Sequence, residues 1–465
     1  MKTSRHILTD LWTAAGGDPA ALEAVKLTGN EPVMPSSFRV GAAAQAGIAA
    51  AGLAAAQIWR LRGGRAQNLS VDMLHAAVEC RSERYLRVDD KPPPPAWDAL
   101  AGVYRTGDDR YVRLHTNFPH HRDNVCRVLN CRPERSAVQE ALLRWDGATF
   151  ETEAYAGGAV VSLMRSRDEW LAHPQAQALQ PLPLILIERI GEAAPRPWPV
   201  GDRPLSGLRV LDLSRVIAGP VAGRALAAHG ADVMLVTGPK LPSIPWLVID
   251  TGRGKLSCSL DLKSDEGRAA LRMLMSDADV MLQGYRPHAL AALGFSARDA
   301  ALLSPGIIYV SLSAYGHVGP WADRRGFDSL VQTSTGFNHA EAQAAGIEGP
   351  KELPMQILDH VTGYLMAFGA MMARVRQARE GGSWHVRVSL AQTGHWLWNL
   401  GRLDKGLAVP DIKPEAVAGF LEESDSGFGR LRAVRHAASL SQTPAFWARP
   451  SVPLGHDAPK WPHRG

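Results

Sequence analysis

The most constraining feature of this chain is a series of strands and helices that alternate at short spacing in its second half. Residues 208–213 (LRVLDL) form a compact apolar segment that predicts a strand, and residues 232–236, 279–282 and 307–312 predict three more. Residues 265–276 between them have the pattern of a helix. Because parallel strands need long crossover connections, this alternation predicts an α/β fold with a parallel sheet covered by helices.

A proline-rich segment, PRPWPVGDRP at residues 195–204, directly precedes the first of these strands and predicts a domain boundary. The segments before it are an Ala-rich helix, a strand, a hairpin and a mainly helical region, at residues 42–62, 69–73, 103–115 and 126–190. We therefore expect two parts, 1–203 with a smaller α/β domain and 204–465 with the large parallel sheet.

The chain contains one internal repeat. Residues 42–73 align without gaps to residues 359–390, at an offset of 317. In both copies an apolar helix ends in a glycine pair and a strand follows, which predicts a duplicated unit, although Ala-rich sequence can also align by chance. Asp359 in the second copy stands opposite Ala42 in the first.

Composition places the chain among ordinary globular proteins. Of its 465 residues, 46% are hydrophobic and 21% are charged, which excludes bulk disorder. The net charge of +5 is spread without runs of like charge, which argues against a dedicated nucleic-acid-binding protein. Four cysteines are too few for a disulfide framework, and neither a signal peptide nor a membrane span is expected. We expect a cytoplasmic protein.

Residues 313–336 (SAYGHVGPWADRRGFDSLVQTSTG) are the first candidate site. They follow a predicted buried strand, and ligands bind at the carboxyl edge of open α/β sheets. Gly316 permits close backbone approach to a ligand. Arg324 and Arg325 supply positive charge for a phosphate or carboxylate, and Asp328 follows them. The alternative is a solvent-exposed loop with a surface ion pair.

Asp359 is the second candidate, because it opens a predicted apolar helix. A carboxylate in this place commonly accepts backbone N–H hydrogen bonds as a helix cap. The same placement can hold a nucleophilic carboxylate. The residues alone leave both interpretations open.

The sequence lacks several motifs that mark common active sites. The sequence has no H-E-x-x-H, G-x-S-x-G or Walker A motif, which argues against the commonest hydrolases and nucleotide triphosphatases. The first strand–helix turn, SRVIAGPVAG, lacks the glycine pattern of nicotinamide dinucleotide sites. No metal site is expected, because five residues of metal-ligand type match no zinc spacing: His115, His120, His121, Cys126 and Cys131.

Five motifs in the second half resemble those of family III CoA-transferases, the formyl-CoA and carnitine-CoA transferases and related enzymes, in the order of that family. They are GLRVLDLSRVIAGPVAGRALAAHGADV, GRGKLSCSLDLKSDEGR, DVMLQGYRPHALAALGF, PGIIYVSLSAYGHVGPWADRRGFDSLVQ and LDHVTGYLMAFGAMMARVRQAREGGSWHVRVSL, at residues 207–233, 252–268, 279–295, 305–332 and 358–390. Residues 1–200 resemble the part that follows the catalytic helix in ordinary members, so the domain order is shifted, as though two copies had been fused and trimmed.

The resemblance implies a Rossmann-like large domain, a smaller α/β domain and a homodimer. The family's dimer is interlocked, and the two halves of this chain either replace that dimer or still need a second chain. It implies that Asp359 is the catalytic nucleophile, which attacks an acyl-CoA thioester and passes through an aspartyl-CoA thioester. This carboxylate is expected to be ionised already, so that no base is needed. Asp328 is the implied second catalytic acid, which orients the substrate.

Coenzyme A and acyl-CoA are the implied substrates, with a small carboxylic acid as partner and no permanently bound cofactor. Basic side chains are expected to bind the CoA phosphates, and the first strand–helix turn and a glycine to approach CoA closely. The residues assigned to CoA binding in this way are Ile217, Ala218, Lys255, Arg286, Arg325 and Gly316.

Departures from the family pattern limit the interpretation. Residues 237–239 (TGP) stand where many members carry an acid and an arginine that contact the adenine end of CoA. Phe327 stands where the racemase branch has a histidine, which disfavours a racemase, and Ala42 makes the first copy inert. The leading interpretation is a CoA-transferase. The alternatives are an acyl-CoA racemase or hydrolase of the same family, or a non-catalytic CoA-binding relative, against which Asp359 argues.

Overall fold

The computed structural model describes residues 2–286 and 288–463. The strands are β1 (Val25–Thr28), β2 (Leu69–Asp72), β3 (Arg87–Val88), β4 (Gly102–Arg105), β5 (Tyr111–Leu114), β6 (Val161–Leu163), β7 (Leu186–Gly191), β8 (Arg209–Leu213), β9 (Asp232–Thr237), β10 (Lys255–Ser259), β11 (Val280–Gln283), β12 (Ile308–Ser313), β13 (Ser383–Ser389), β14 (Leu421–Ser424), β15 (Leu431–Val434) and β16 (Ala438–Leu440).

The α-helices are α1 (Ser4–Ala14), α2 (Val40–Leu61), α3 (Met73–Glu79), α4 (Ser82–Tyr85), α5 (Pro119–Leu129), α6 (Arg135–Leu142), α7 (Gly147–Ala156), α8 (Arg167–Ala172), α9 (Pro174–Leu179), α10 (Ala218–Ala228), α11 (Pro245–Thr251), α12 (Asp265–Ser276), α13 (Ala297–Leu303), α14 (Asp328–Ser334), α15 (Phe337–Ala345), α16 (Ile357–Glu380) and α17 (Leu390–Asn399). Short 3₁₀ turns lie at Pro19–Ala24, Ala291–Leu293, Gly406–Ala408 and Pro414–Phe420.

The predicted α/β fold is confirmed by a seven-stranded sheet with the order β10-β9-β8-β11-β12-β13-β7. All its pairs are parallel except the last, in which β7 runs antiparallel to β13 at the edge. Alternate residues of each strand enter cores on opposite faces: Val210 of β8 packs in the core with α10 and α16, whereas Leu211 packs in the core with α12. Burial on both faces explains why the sequence of β8 reads as a continuous apolar run.

Both parts of the sequence contribute to shared sheets. Strand β7 precedes the proline-rich segment and joins the large sheet, β2 pairs with β16, and β3 pairs with β15. The division at residues 203 and 204 therefore stays a prediction about how the segments relate to the family, and it does not separate two independent sheets.

A smaller α/β unit has a core of its own. The predicted hairpin is present as β4 and β5, which pair antiparallel, and β6 adds a third strand. Helices α5, α6 and α7 cover this sheet with buried side chains such as Val125, Val138 and Phe150. This unit lies beside the carboxyl edge of the large sheet, because Phe118 and His121 border the same cleft as residues of the turns after β8 and β12.

The internal repeat is visible in the structure. Helices α2 and α16 begin at Val40 and Ile357, and helices α3 and α17 begin at Met73 and Leu390. Both pairs of positions share the offset at which the two sequences align. Each copy is therefore a helix, a strand and a second helix.

Helix α2 is buried in the middle of the protein. Alanine and glycine dominate its sequence, and the side chains from Val40 to Ala55 are all buried. Among the described residues it is the one helix long and apolar enough to cross a membrane, but the core helix of a folded protein passes the same test. Its neighbour is the equivalent helix of the other copy, since Gly47 faces Val361 of α16.

Candidate active site

Asp359 lies in the first turn of α16, and its side chain is available for chemistry. Its backbone N–H donates a hydrogen bond to Asp328 Oδ2 at 2.9 Å. Within the described residues its own carboxylate makes no hydrogen bond, and Gln356, which precedes the helix, provides no side-chain cap. The interpretation of Asp359 as a helix cap is therefore wrong, because Asp328 satisfies this end of the helix instead.

Asp328 is fixed where it stands. It is 1% exposed at the start of α14, and the side-chain amide of Gln332 donates a hydrogen bond to it. Gln332 is itself held by Met355 O and by the backbone N–H of Leu353, at 3.2 and 3.1 Å. Burial raises the pKa of Asp328 to about 6, although the hydrogen bonds that it accepts oppose this rise.

The surroundings of Asp359 favour its protonated form. Burial, then the neighbouring carboxylates of Asp328 and Glu83, raise the pKa of Asp359 well above its usual range. The sequence suggested a carboxylate that is already ionised. The structure corrects this expectation, since ionisation of Asp359 depends on pH in a range where an ordinary aspartate stays charged.

Two clefts meet at Asp359. The first, of about 370 Å³, lies at the carboxyl ends of β8, β11 and β12, and is called the arginine cleft because Arg215, Arg286 and Arg325 border it. The second, of about 760 Å³, is called the proline–tryptophan cleft. It is bordered by Pro93–Pro95, Trp97, Pro245 and Trp246, among others. Asp359, Val216 and Phe327 border both clefts, so a ligand in either one can reach the same carboxylate.

The arginine cleft carries unneutralised positive charge. Neither Arg286 nor Arg325 forms an ion pair within the described part of the chain. Partial burial, then the like charge of Arg286, lower the pKa of Arg325. By contrast Arg324 is used structurally, since it pairs with Glu151 at 3.1 Å and stacks on Trp321 at 4.0 Å. Arg286 and Arg325 therefore suit an anion such as a phosphate.

The turn between β8 and α10 lies between the two clefts. Ile217 borders the proline–tryptophan cleft and Ala218 borders the arginine cleft. Val216 has a φ of +73°, which is strained for a β-branched residue, and such strain concentrates at functional sites. Helix α10 begins without a side-chain cap, so its first N–H groups are open to an anion or a developing oxyanion.

Gly363 allows this turn to pack against α16. It lies one turn after Asp359 on α16, and a Cβ atom at this position would stand 2.5 Å from the carbonyl oxygen of Ala218. The two helix starts can therefore lie in direct contact only because residue 363 has no side chain. This contact sets the N-terminus of α10 beside the Asp359 carboxylate.

The structure corrects two residues assigned to CoA binding. Lys255 is 2% exposed, and its Nζ donates to Asp212 Oδ2 at 2.7 Å and to Pro220 O at 2.8 Å. The charge of Lys255 is therefore neutralised by Asp212 inside the protein, and Lys255 borders neither cleft. Gly316 faces Leu179, against which a Cβ atom would stand at 2.3 Å, so its glycine serves packing against α9 and not approach to a ligand.

Sequence reasoning missed the residues that α4 brings to the site. Glu83 Oε2 accepts a hydrogen bond from His360 Nε2 at 3.1 Å, and His360 follows Asp359 in the chain. Its neighbour Arg84 borders the proline–tryptophan cleft. These residues lie more than 270 positions before Asp359 in the chain, and no local motif marks them. Among the described residues no group of histidine, cysteine, aspartate and glutamate side chains could hold a metal ion.

The candidate site thus combines a buried acidic pair at the carboxyl edge of the sheet with a basic cleft beside it. Residues 205–416 match the model described as CoA-transferase family III. The matched segment contains all five motifs, and the resemblance drawn from them is confirmed.

Relatives with curated descriptions agree with this assignment. An acyl-CoA transferase of Gibberella moniliformis is 28% identical over 435 residues, which cover 83% of this chain and 75% of the relative. The acetyl-coenzyme A transferase nodX of Hypoxylon pulicicidum is 38% identical over 42% of this chain and 34% of the relative. A succinate–glutarate CoA-transferase of Agrobacterium fabrum is 33% identical over 40% of this chain and 51% of the relative. The chain thus spans three quarters of the first relative, a third of the second and about half of the third.

Proposed function

We propose that this protein is a CoA-transferase that moves CoA between an acyl-CoA donor and a carboxylic acid acceptor, with Asp359 as nucleophile. The observation that carries the proposal is that Asp328 and Asp359 have different roles at the start of α16. Asp328 caps the start of α16, and among the described residues the Asp359 carboxylate makes no hydrogen bond at the meeting point of the two clefts. A carboxylate that served only the helix would make the cap itself.

The reaction follows from this geometry in balanced steps. The Asp359 carboxylate attacks the acyl carbonyl of the donor, the C–S bond breaks, and a mixed anhydride and CoA thiolate result. The thiolate attacks the aspartyl carbonyl and releases the donor acid, which leaves an aspartyl-CoA thioester. The acceptor carboxylate attacks this thioester and expels the thiolate. The thiolate then attacks the new acyl carbonyl, which restores Asp359 and gives the product acyl-CoA.

The arginine cleft supports CoA on one side of Asp359. Arg286 and Arg325 offer charge to phosphate groups, and the open N–H groups at the start of α10 can stabilise the oxyanion that forms on attacked carbonyls. Lys255 acts on this machinery indirectly. It holds Asp212, which also accepts a hydrogen bond from the Ser214 hydroxyl at the end of β8, and so it supports the turn that carries Val216 and Ala218.

The site gives less support to the other activities of the family. A racemase needs two opposed proton carriers at the α-carbon. Phe327 occupies the position considered for one of them, and it stacks on His115 with the ring centroids 3.7 Å apart. Burial, then the charge of Arg113, lower the pKa of His115 to about 3, so this ring stays neutral. The homodimer and the cytoplasmic location remain part of this proposal.

Covalent trapping tests the proposal. The protein is incubated with acetyl-CoA and hydroxylamine, which attacks activated aspartyl carbonyls and leaves a hydroxamate, and the label is located by peptide mass spectrometry. We expect one label per chain, on the peptide that contains Asp359, because the first copy has Ala42 at this position. Two labels per chain, or one within residues 1–200, would contradict the proposal, as would no label above a sample without acyl-CoA.

The pH dependence of transfer offers a second test. Attack needs the ionised form of Asp359, and burial with the nearby carboxylates of Asp328 and Glu83 raises the pKa of Asp359. We therefore expect kcat/KM to fall as the pH drops, at a higher pH than for an ordinary aspartate. Asp328→Asn removes one negative charge and should move this acidic limb to lower pH. An acidic limb at the same pH in both proteins would show that Asp328 does not set the ionisation of Asp359.

A further inference from the structure

The proline–tryptophan cleft is bordered in part by residues outside the segment that matches the family. Its wall includes Pro93–Pro95, Trp97 and Arg84, which all precede residues 205–416. It meets the arginine cleft at Val216, Phe327 and Asp359, the three residues that border both clefts. If CoA occupies the arginine cleft, this second cleft is where the acyl group or the free acid meets the nucleophile.

The wall of this cleft is largely apolar and aromatic. Trp97 is 37% exposed although it is a large hydrophobic side chain, and Trp246 is half-buried at the start of α11. Trp97 does not move freely, because the guanidinium of Arg113 stacks on its ring at 5.1 Å and Arg113 is itself paired with Glu352. An apolar ligand that covers these rings would remove aromatic surface from water, which favours binding.

Arg84, which borders this cleft, has only long side-chain contacts among the described residues. Arg84 Nη2 donates to Gln356 Oε1 at 3.5 Å, and Gln356 precedes Asp359 by three residues, ~4.5 Å along a helix axis. The ion pair of Arg84 Nε with Glu83 Oε1 is long, at 3.8 Å, because Glu83 is committed to His360 at 3.1 Å. The Arg84 side chain is 41% exposed, so it can bind a carboxylate in the cleft that Asp359 also borders.

The acidic groups of the cleft have partners of their own. Asp98 accepts hydrogen bonds from Thr116 Oγ1 at 2.7 Å and from the backbone N–H of Leu100 at 3.0 Å, and Glu352 pairs with Arg113. Among the described residues that border this cleft, Arg84 is the one lysine or arginine, and aromatic rings and prolines lie along the same wall. A second carboxylate on the ligand would be desolvated against these rings, which is unfavourable.

We propose that the proline–tryptophan cleft binds the acid substrate, with Arg84 on its reacting carboxylate and the Trp97 and Trp246 rings on its body. The substrate class is then a monocarboxylic acid with a bulky apolar body, such as an arylacetic or branched-chain acid, and not a short dicarboxylate. This inference rests on the proposed function. It also distinguishes this chain from the relative that is named for succinate and glutarate.

A panel of acceptors tests the substrate class. With acetyl-CoA as the common donor, kcat/KM is measured for acetate, phenylacetate, 4-methylpentanoate, succinate and glutarate. We expect phenylacetate and 4-methylpentanoate to exceed both dicarboxylates by at least about tenfold, as burial of an apolar body predicts. Trp97→Ala and Trp246→Ala should each lower kcat/KM for phenylacetate about tenfold, and for acetate much less. Arg84→Gln should raise KM for every acid.

Controls separate the inference from the proposed function. Phe446→Ala removes an aromatic ring that is 50% exposed and borders neither cleft, and it should leave the acceptor ranking unchanged. Arg325→Gln should raise KM for acyl-CoA without changing that ranking. If wild-type protein forms no hydroxamate at Asp359, the proposed function fails. If the hydroxamate forms but the dicarboxylates are preferred, or the tryptophan variants affect acetate and phenylacetate alike, the inference about this cleft is overturned and the proposed function stands.

Discussion

Asp359→Asn is expected to abolish CoA transfer while the protein stays folded. The amide keeps the shape of the carboxylate but cannot act as the nucleophile, so we expect kcat to fall by at least about a thousandfold. The stability should not fall with it. Burial and the carboxylates of Asp328 and Glu83 raise the pKa of Asp359, which means that its charge is unfavourable in the folded protein. The melting temperature of the variant at neutral pH should therefore equal or exceed that of the wild type.

The measurement pairs turnover with thermal unfolding. Asp265→Asn is a matched control, because Asp265 also lies in the first turn of a helix. Its side chain is 94% exposed and borders neither cleft. This control should keep wild-type turnover. If Asp359→Asn retains more than about one percent of wild-type turnover, Asp359 is not the covalent nucleophile. If it unfolds at a clearly lower temperature, the carboxylate has a structural role that its lack of hydrogen bonds does not reveal.

The parallel core of the fold could be predicted because each element carries its own signal. The apolar runs of β8 and β12 and the helix α12 are local patterns, and their observed bounds differ from the predicted ones by a residue at most. Sheet order has no such signal. Nothing in the sequence of β7 indicates that it pairs antiparallel with β13, nearly 200 residues later. Long-range pairing depends on the packing of the whole sheet, which no single segment encodes.

The site divides in the same way. Asp328 and Asp359 stand in motifs that share an order along the chain, and the structure brings them together at one helix start. Lys255 stands in such a motif too, yet its ammonium group is turned into the protein, since a motif does not tell whether a charge is buried. Glu83 and Arg84 have no motif at all. They reach the site because α4 packs over the start of α16, where they meet His360 and Gln356.

The two copies of the repeat share their helices and strand but differ at the start of the first helix. At the start of α2 the backbone N–H of Ala42 donates to Glu31 Oε1 at 2.7 Å, as that of Asp359 donates to Asp328 in the second copy. An acidic side chain, half-buried Glu31 or buried Asp328, thus accepts the backbone N–H at the equivalent position of both helices. Ala42 stands in the first copy where Asp359 stands in the second, and α2 packs against α16. The sequence alignment predicts this difference, but Glu31 is found only in the structure, because it lies outside the aligned residues.

Lys255→Met is expected to destabilise the protein strongly. Its ammonium group forms an ion pair with Asp212 at 2.7 Å, and both side chains are at most 1% exposed. Removal of one partner leaves a buried, uncompensated charge, which typically costs about 3–5 kcal/mol. The phosphate-binding role assigned to Lys255 from the sequence predicts something else, namely normal stability and a raised KM for acyl-CoA that weakens with salt. Urea unfolding and steady-state kinetics at two ionic strengths distinguish the two roles.

A second substitution completes the test. Asp212→Asn keeps an acceptor for the Ser214 hydroxyl but removes the negative charge, so the double variant Lys255→Met with Asp212→Asn should recover part of the lost free energy of unfolding. We expect this recovery of the free energy of unfolding because each of the two charges is neutralised by the other and not by a ligand. If the double variant is as unstable as the two single losses added together, Lys255 and Asp212 do not act as a pair. If Lys255→Met is as stable as the wild type and only KM for acyl-CoA rises, the ammonium group serves the ligand after all, and the turn between β8 and α10 is held by other contacts.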